Sequence, residues 1–368
     1  MGLEEVKAFD NDLYLDAQLS AFQERLEGVP GSNVIIEFGG KPFGDQHAAR
    51  VLPGYNPDNK AEIIRGLQHE FNSYTVMVVN ARDLLVPPDG RTLHGRIRGD
   101  SGLRYYDETT RMIGEARDAH DIRIERVVVA NTPKDMDEYN VNLLDRFADN
   151  VVEQTGKLPQ YCYEIPGYPD VACLEGDKLE NAFADNDHIG RVGRSLLLMS
   201  PGGGSGKFGI ALSEIHRNLD SEVPVGFAKF ETFPVFGLDI DHPLNLAFVA
   251  ATADLGNYLV ALKDGKTNYD KDCENFALLA EIVARKPSSA GYLASMVSQT
   301  DFSVNVIESG ILDDSLVRDA SAKEIWARLK RYREECLSGN EKISTVHDAA
   351  FVAGQCAVRH LIESDIWQ

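Results

Sequence analysis

One stretch constrains this chain more than any other: Ser195-Leu-Leu-Leu-Met-Ser-Pro-Gly-Gly-Gly-Ser-Gly-Lys-Phe-Gly-Ile-Ala-Leu212. Leu196 to Met199 is a short apolar run of the kind that forms a buried strand. A glycine-dense loop, Pro201 to Gly206, follows and ends in Lys207. Ile210, Leu212, Ile215 and Leu219 then recur close to helical spacing. Strand, glycine loop and helix is a layout that cradles phosphate. Glycines let backbone N–H groups converge, the helix N-terminus adds partial positive charge, and a lysine adds a full one. Gly202, Gly203, Gly204, Ser205, Gly206 and Lys207 are therefore candidate ligand contacts. The match to G-x-x-x-x-G-K-[ST] is incomplete, because Pro201 replaces the first glycine and Phe208 stands where Ser or Thr would hold Mg²⁺. The same glycines would equally serve a tight strand-to-helix turn, with Lys207 in water.

The rest of the chain supplies a setting for such a loop. Its 368 residues suffice for two or three domains, and 43% hydrophobic residues suffice for a real core. Apolar spacing predicts helices over Asn11–Leu26, Lys60–Glu70, Tyr105–His120 and Asp137–Glu153. Strands are predicted over Asn33–Phe38, Tyr74–Val79, Ile122–Ala130, Gln160–Ile165 and Val225–Phe230, besides Leu196–Met199. The alternation implies an α/β fold with a mostly parallel sheet, helices on both faces and ligands at the strand C-termini. The expected organisation is a Rossmann-like three-layer domain over 1–185 and a second α/β unit with the P-loop-like segment over 186–310. A mainly helical region over 311–368 follows; its pattern runs to the chain end, which suggests truncation.

Charge and cysteines narrow the function. A net charge of −21 disfavours non-specific binding to nucleic acid or to an anionic membrane, while a local cationic cluster would still admit an anionic small molecule. Five scattered cysteines without a C-x-x-C pair read as reduced thiols of a cytoplasmic protein. Homo-oligomerisation stays open.

Four further clusters are candidates for chemistry. Lys41, Asp45, His47 and Arg50 follow the first strand; a histidine between a carboxylate and an arginine can move a proton or hold an anion, or the two charges simply pair. Arg96, Arg98 and Asp100 would suit phosphate or act as structural ion-pair donors. Lys229 and Glu231 would reach the rim beside Lys207 if their strand neighbours Leu196–Met199, or would pair with each other. Asp239, Asp241, His242 and Asp254 offer oxygen and nitrogen ligands; Asp239 and Asp254 are the candidates for a Mg²⁺ accompanying a nucleotide, a solvated acidic loop being the alternative. His47, Lys229, Glu231 and His242 are the candidate catalytic groups, with Lys41, Arg50 and Arg98 as added anion contacts.

Several of these blocks, in this order, resemble the bacterial family of domain of unknown function 1846. They are Phe9–Leu15, Glu37-Phe-Gly-Gly-Lys-Pro-Phe43, His47–Gly54, Arg98-Gly-Asp100, Pro201–Lys207, Ala228–Pro234, His242–Asn245, Ala250–Leu255, Thr267–Tyr269 and Thr300–Asn305. The resemblance runs from about Phe9 to about Tyr332. It implies a multidomain α/β protein with a helical region and brings no reaction with it. Family chains usually carry a second proline where Gly203 stands and a lysine where Asp241 stands, and tend to run on further. The leading expectation is an enzyme that binds a nucleotide or phosphorylated metabolite; the alternative is a non-catalytic sensor or assembly protein with the same loop.

Overall fold

The computed structural model describes residues 7–44, 46–85, 103–168, 170, 183–189, 194–230, 235, 237–252, 268–337 and 353–361. Asp45, Arg96, Arg98, Asp100, Glu231 and Asp254 lie outside the described residues. In chain order the principal elements are α1 (Asn11–Glu27), β1 (Val34–Phe38), α2 (Gln46–Val51), α3 (Asn59–Phe71), β2 (Tyr74–Asn80) and α4 (Ala81–Leu84). Then come α5 (Tyr105–Asp118), β3 (Arg126–Thr132), α6 (Glu138–Thr155), β4 (Gln160–Tyr163) and β5 (Leu196–Met199). Next are α7 (Lys207–Asp220), β6 (Gly226–Phe230), α8 (Pro243–Thr252), α9 (Asn268–Arg285) and α10 (Asp314–Leu337).

Local chemistry explains many of these boundaries. The Asp10 carboxylate accepts the N–H groups of Asp12 (3.0 Å) and Leu13 (3.2 Å) and so starts α1. Asp137 does the same for α6 through the N–H of Asn140 at 2.8 Å, and Gly156 ends that helix in the left-handed conformation. The third strand begins at Arg126, later than its apolar pattern predicts. Asp121 turns with φ 52°, and Gln68 holds the Arg123 N–H at 3.0 Å, so the preceding residues form a connection.

The six strands form one parallel sheet in the order β4-β3-β2-β5-β1-β6. β1 and β2 are buried along their whole length, as a sheet covered on both faces requires. Alternate residues feed two cores. Val34, Ile36, Phe38, Met77, Val79, Leu197 and Met199 pack with α1, α3, α5, α6 and α8. Ile35, Val76, Val78, Leu196, Leu198 and Phe227 pack with α7 and α9 on the other face. α10 lies outside α8, where the Tyr332 hydroxyl donates to the Ala250 carbonyl at 3.2 Å.

Strand order departs from expectation in one place that matters. β5 and β6 do not neighbour each other: β1 lies between them, with Ile35 opposite Leu196 on one side and Phe227 on the other. β5 in turn separates β1 from β2. Strands from both sides of the expected 185/186 boundary therefore share one sheet. The chain leaves β1 toward α2 and α3 on one face and leaves β5 toward α7 on the other. Adjacent parallel strands whose connections diverge open a crevice at their C-terminal ends.

Candidate functional site

The C-terminal rim of the sheet is built by the ends of β1, β2, β5 and β6. From β5 the chain enters Ser200, whose hydroxyl donates to the Gly202 carbonyl at 2.7 Å. Lys207 Nζ donates to Ser200 Oγ at 2.8 Å and so closes the loop on itself. Gly206 caps α7 with φ 91° and lies against Ala130 and Asn131 of β3. Phe208 turns into the core, edge-on to Phe227 with ring centroids 5.8 Å apart. A core position explains an aromatic residue where a metal-binding hydroxyl was the comparison. Gly203 has open space where a Cβ would project, so the residue is not demanded by close packing.

Asn80, at the end of β2, tethers the loop from the other side. Its Nδ2 donates to the Gly204 carbonyl at 2.7 Å, its Oδ1 accepts the Arg82 N–H at 3.0 Å, and its own N–H donates to the Tyr105 hydroxyl at 3.1 Å. The residue is 1% exposed. Asn80→Ala would remove the tether to Gly204 and the side-chain cap on the Arg82 N–H while keeping the backbone bond to Tyr105, and is expected to destabilise the protein by about 1–2 kcal/mol. A lower denaturant midpoint with an unchanged m-value would register this.

Lysines gather at this rim. Lys207 is 4% exposed, and burial pulls its ammonium down to about 8. Glu37 opposes that shift, while Lys229, Lys271 and Lys60 reinforce it. Lys60 is fully buried and donates to the carbonyls of Gly39 and Lys41, each at 2.9 Å, shaping the turn after β1. Lys229 pairs with Asp272 near the start of α9. Lys271, beside it, is lowered by burial and then by Lys229. Four ammonium groups thus outnumber two buried carboxylates, Glu37 and Asp272, in a chain of net charge −21. Such an excess in a low-dielectric crevice favours an anion.

Glu37, like Asn80, Lys60 and Lys271, is a site residue that sequence reasoning missed. It faces Leu198 on β5 and Lys229 on β6 across the ladder, and its side chain lies on the α7 side of the sheet. It is 8% exposed, and its Oε2 is buried with no hydrogen-bond partner. The available signal was a carboxylate inside the otherwise apolar strand Val-Ile-Ile-Glu-Phe, where burial on both faces leaves a charge no route to water.

The other candidates are distributed elsewhere. His47 and Arg50 sit in α2, a short helix where the sequence suggested a loop. Arg50 is exposed and reaches toward Glu324 of α10 at 3.9 Å. Lys41 pairs with Glu108 of α5 at 2.9 Å. Burial pushes Glu108 up, but hydrogen bonds from Arg111 and Lys41 outweigh it and hold the carboxyl below its ordinary value. His242 is buried, with Nδ1 accepting the Leu244 N–H at 3.1 Å and Nε2 2.9 Å from Asp314 of α10. That arrangement anchors α10 to the start of α8. Asp239 is exposed in the turn before α8, and its carbonyl accepts from Asn245 at 2.8 Å. Asp241 pairs with Arg359. Among the described residues no three metal-binding side chains converge. Cys162 and Cys356 are buried thiols, pushed up to about 12 and about 11 by burial, which makes them poor nucleophiles.

Fold and site together define a parallel α/β protein with a glycine loop and a cluster of lysines at the centre of the sheet's C-terminal rim. Residues 7–356 match the model described as "Domain of unknown function DUF1846, N-terminal", and the chain belongs to that family. It is 34% identical over 327 residues to a "UPF0371 protein" of Corynebacterium urealyticum, covering 87% of this chain and 61% of the relative. A "UPF0371 protein" of Corynebacterium aurimucosum is 32% identical over 354 residues, covering 94% and 66% respectively. One from Streptococcus uberis is 34% identical over 331 residues, covering 87% and 61%. The chain thus spans less than two thirds of the length of these relatives. No helix among the described residues is long and apolar enough to cross a membrane.

Proposed function

We propose that this protein binds a phosphorylated small molecule, a nucleotide or phosphorylated metabolite, in the crevice between β1 and β5. In this reading the sheet is Rossmann-like and β5, its loop and α7 form a P-loop-like cradle. Backbone N–H groups of Gly203 to Lys207 would hold the phosphate and Lys207 would neutralise it, in a cytoplasmic protein with no nucleic-acid or membrane partner. The observation that carries the proposal is Lys207 itself. It is a buried ammonium at the first residue of a helix, held in the field of three more lysines. Such an arrangement is unfavourable by itself and is offset when an anion arrives.

Calorimetric titration of ATP, ADP and ribose 5-phosphate against wild type and Lys207→Ala tests this. Micromolar to millimolar binding by wild type, weakened at least 100-fold in the variant, is expected; identical curves would sink the assignment. The pH profile gives a second check. Lys207 faces Glu37, Lys229, Lys271, Lys60 and the Ser200 hydroxyl, and its ammonium titrates near pH 8. A bound dianion favours the protonated form, so affinity should fall by up to tenfold per pH unit above about 8.

The leading form of the proposal is an enzyme. A second form, binding without turnover in a sensor or assembly protein, is favoured by Phe208. Its ring occupies the core and leaves no hydroxyl after Lys207 for Mg²⁺. Ligand-induced thermal stabilisation with no product in a hydrolase and phosphotransfer screen would select the second form.

A further inference from the structure

Glu37 is out of place in a pocket for a bare anion. It is 92% buried by its 8% exposure, and Oε2 lacks a hydrogen-bond partner. Lys207 and Lys271 feel its charge through space, but none of the neighbouring lysines donates a hydrogen bond to Oε2. Lys229 pairs with Asp272, Lys60 donates to the carbonyls of Gly39 and Lys41, and Lys207 donates to Ser200. An ionised carboxylate only accepts hydrogen bonds, and so does the dianionic phosphate group of a monoester, which has no P–OH left. Neither the phosphate end of a monoester dianion nor a simple carboxylate can therefore satisfy Glu37, and a donor elsewhere on the ligand is needed. Its position in the ladder, between Leu198 and Lys229, fixes it beside the loop that follows β5. Ser205 Oγ, in that loop, is also buried and without a partner. A hydroxyl there can donate to a phosphate oxygen.

We infer that the ligand is a phosphate ester of a polyhydroxyl compound, a sugar or ribose phosphate, with Ser205 and Lys207 holding its phosphate and Glu37 accepting a hydrogen bond from one of its hydroxyls. This rests on the phosphate-binding reading above and adds the class of ligand. A buried acceptor that only a donor-bearing ligand can satisfy is the kind of contact that discriminates strongly between analogues, because the wrong ligand leaves it unpaired.

The test compares ribose 5-phosphate with ethyl phosphate, which carries no hydroxyl donor on its alkyl group, in titrations of the intact chain. Wild type should bind ribose 5-phosphate at least tenfold tighter. Glu37→Met keeps a similar volume and removes the acceptor; it should bring the two affinities within about threefold, mainly by raising that for ethyl phosphate and lowering that for ribose 5-phosphate. Glu37→Gln retains one acceptor oxygen and should restore part of the preference. A wild-type ratio near one, or a ratio unchanged in both variants, overturns the inference. If Glu37→Met does not fold, the wild-type ratio and Glu37→Gln decide. Loss of the phosphate-binding reading itself looks different: wild type then binds neither ester, and Lys207→Met changes nothing.

Discussion

Lys207→Met is expected to abolish the proposed phosphate binding and, at pH 7, to make the folded protein more stable. The two effects share one cause. Lys207 is held almost entirely out of water, and its ammonium is pulled down to about 8 from an ordinary value near 10.5. The folded state therefore holds this proton less tightly than the unfolded chain. Below pH 8 both states are protonated and the full penalty acts; it fades as pH rises from about 8 to about 10.5. Over that window wild type should gain up to about 3 kcal/mol relative to a variant that cannot titrate there. Methionine fills much the same volume without the charge, so at pH 7 the variant should be more stable by about 1–3 kcal/mol, reduced by what Glu37 loses with its cationic neighbour. Urea titrations of both proteins at pH 7 and pH 10 would measure this. A variant less stable than wild type at pH 7 would show that Lys207 supports the fold.

Gly206→Ala should do the most damage to the loop. Its φ of 91° is open to glycine and strained for any other residue. A Cβ there would also come within 2.9 Å of the Ala130 Cβ and 3.1 Å of the Asn131 amide. Ala130 closes the β3 ladder opposite Asn80, the residue that tethers Gly204. Relief at one point would therefore displace the other. Backbone strain and overpacking together should lower stability by about 3 kcal/mol and shift the start of α7. Loss of ligand binding should accompany the lower unfolding temperature. Gly203→Ala is the control, since its Cβ would enter open space.

The elements were far more legible in the sequence than their arrangement. Apolar runs and their punctuation located β1, β2, β5 and α7 to within a residue or two, because burial on both faces and a glycine break are local signals. Strand order is not local. Nothing in Leu196–Met199 says that it will lie between β1 and β2, and the condition weighed for Lys229, that its strand lie beside β5, is not met for that reason. The site followed suit. Lys207 and Lys229 were singled out from their motifs, and both reach the rim. Glu37, Lys60, Lys271 and Asn80 come from segments that only the strand order brings together. His47, Arg50 and His242 sit in loop-like, polar sequence, yet Arg50 and His242 serve to hold α10 against the body of the protein.

The central place of β5 also governs how the protein can be made. β1 and β2 never touch each other along their length; each waits for Leu196–Met199, which leaves the ribosome long after them. Closing those gaps joins distant parts of the chain, the slow kind of contact in folding. Until it happens two apolar strands stand with open edges, ready to pair with a neighbouring chain. The glycine loop begins at the next residue after that strand, so the shape of that loop and the joining of the two halves of the sheet should arrive in a single step during refolding.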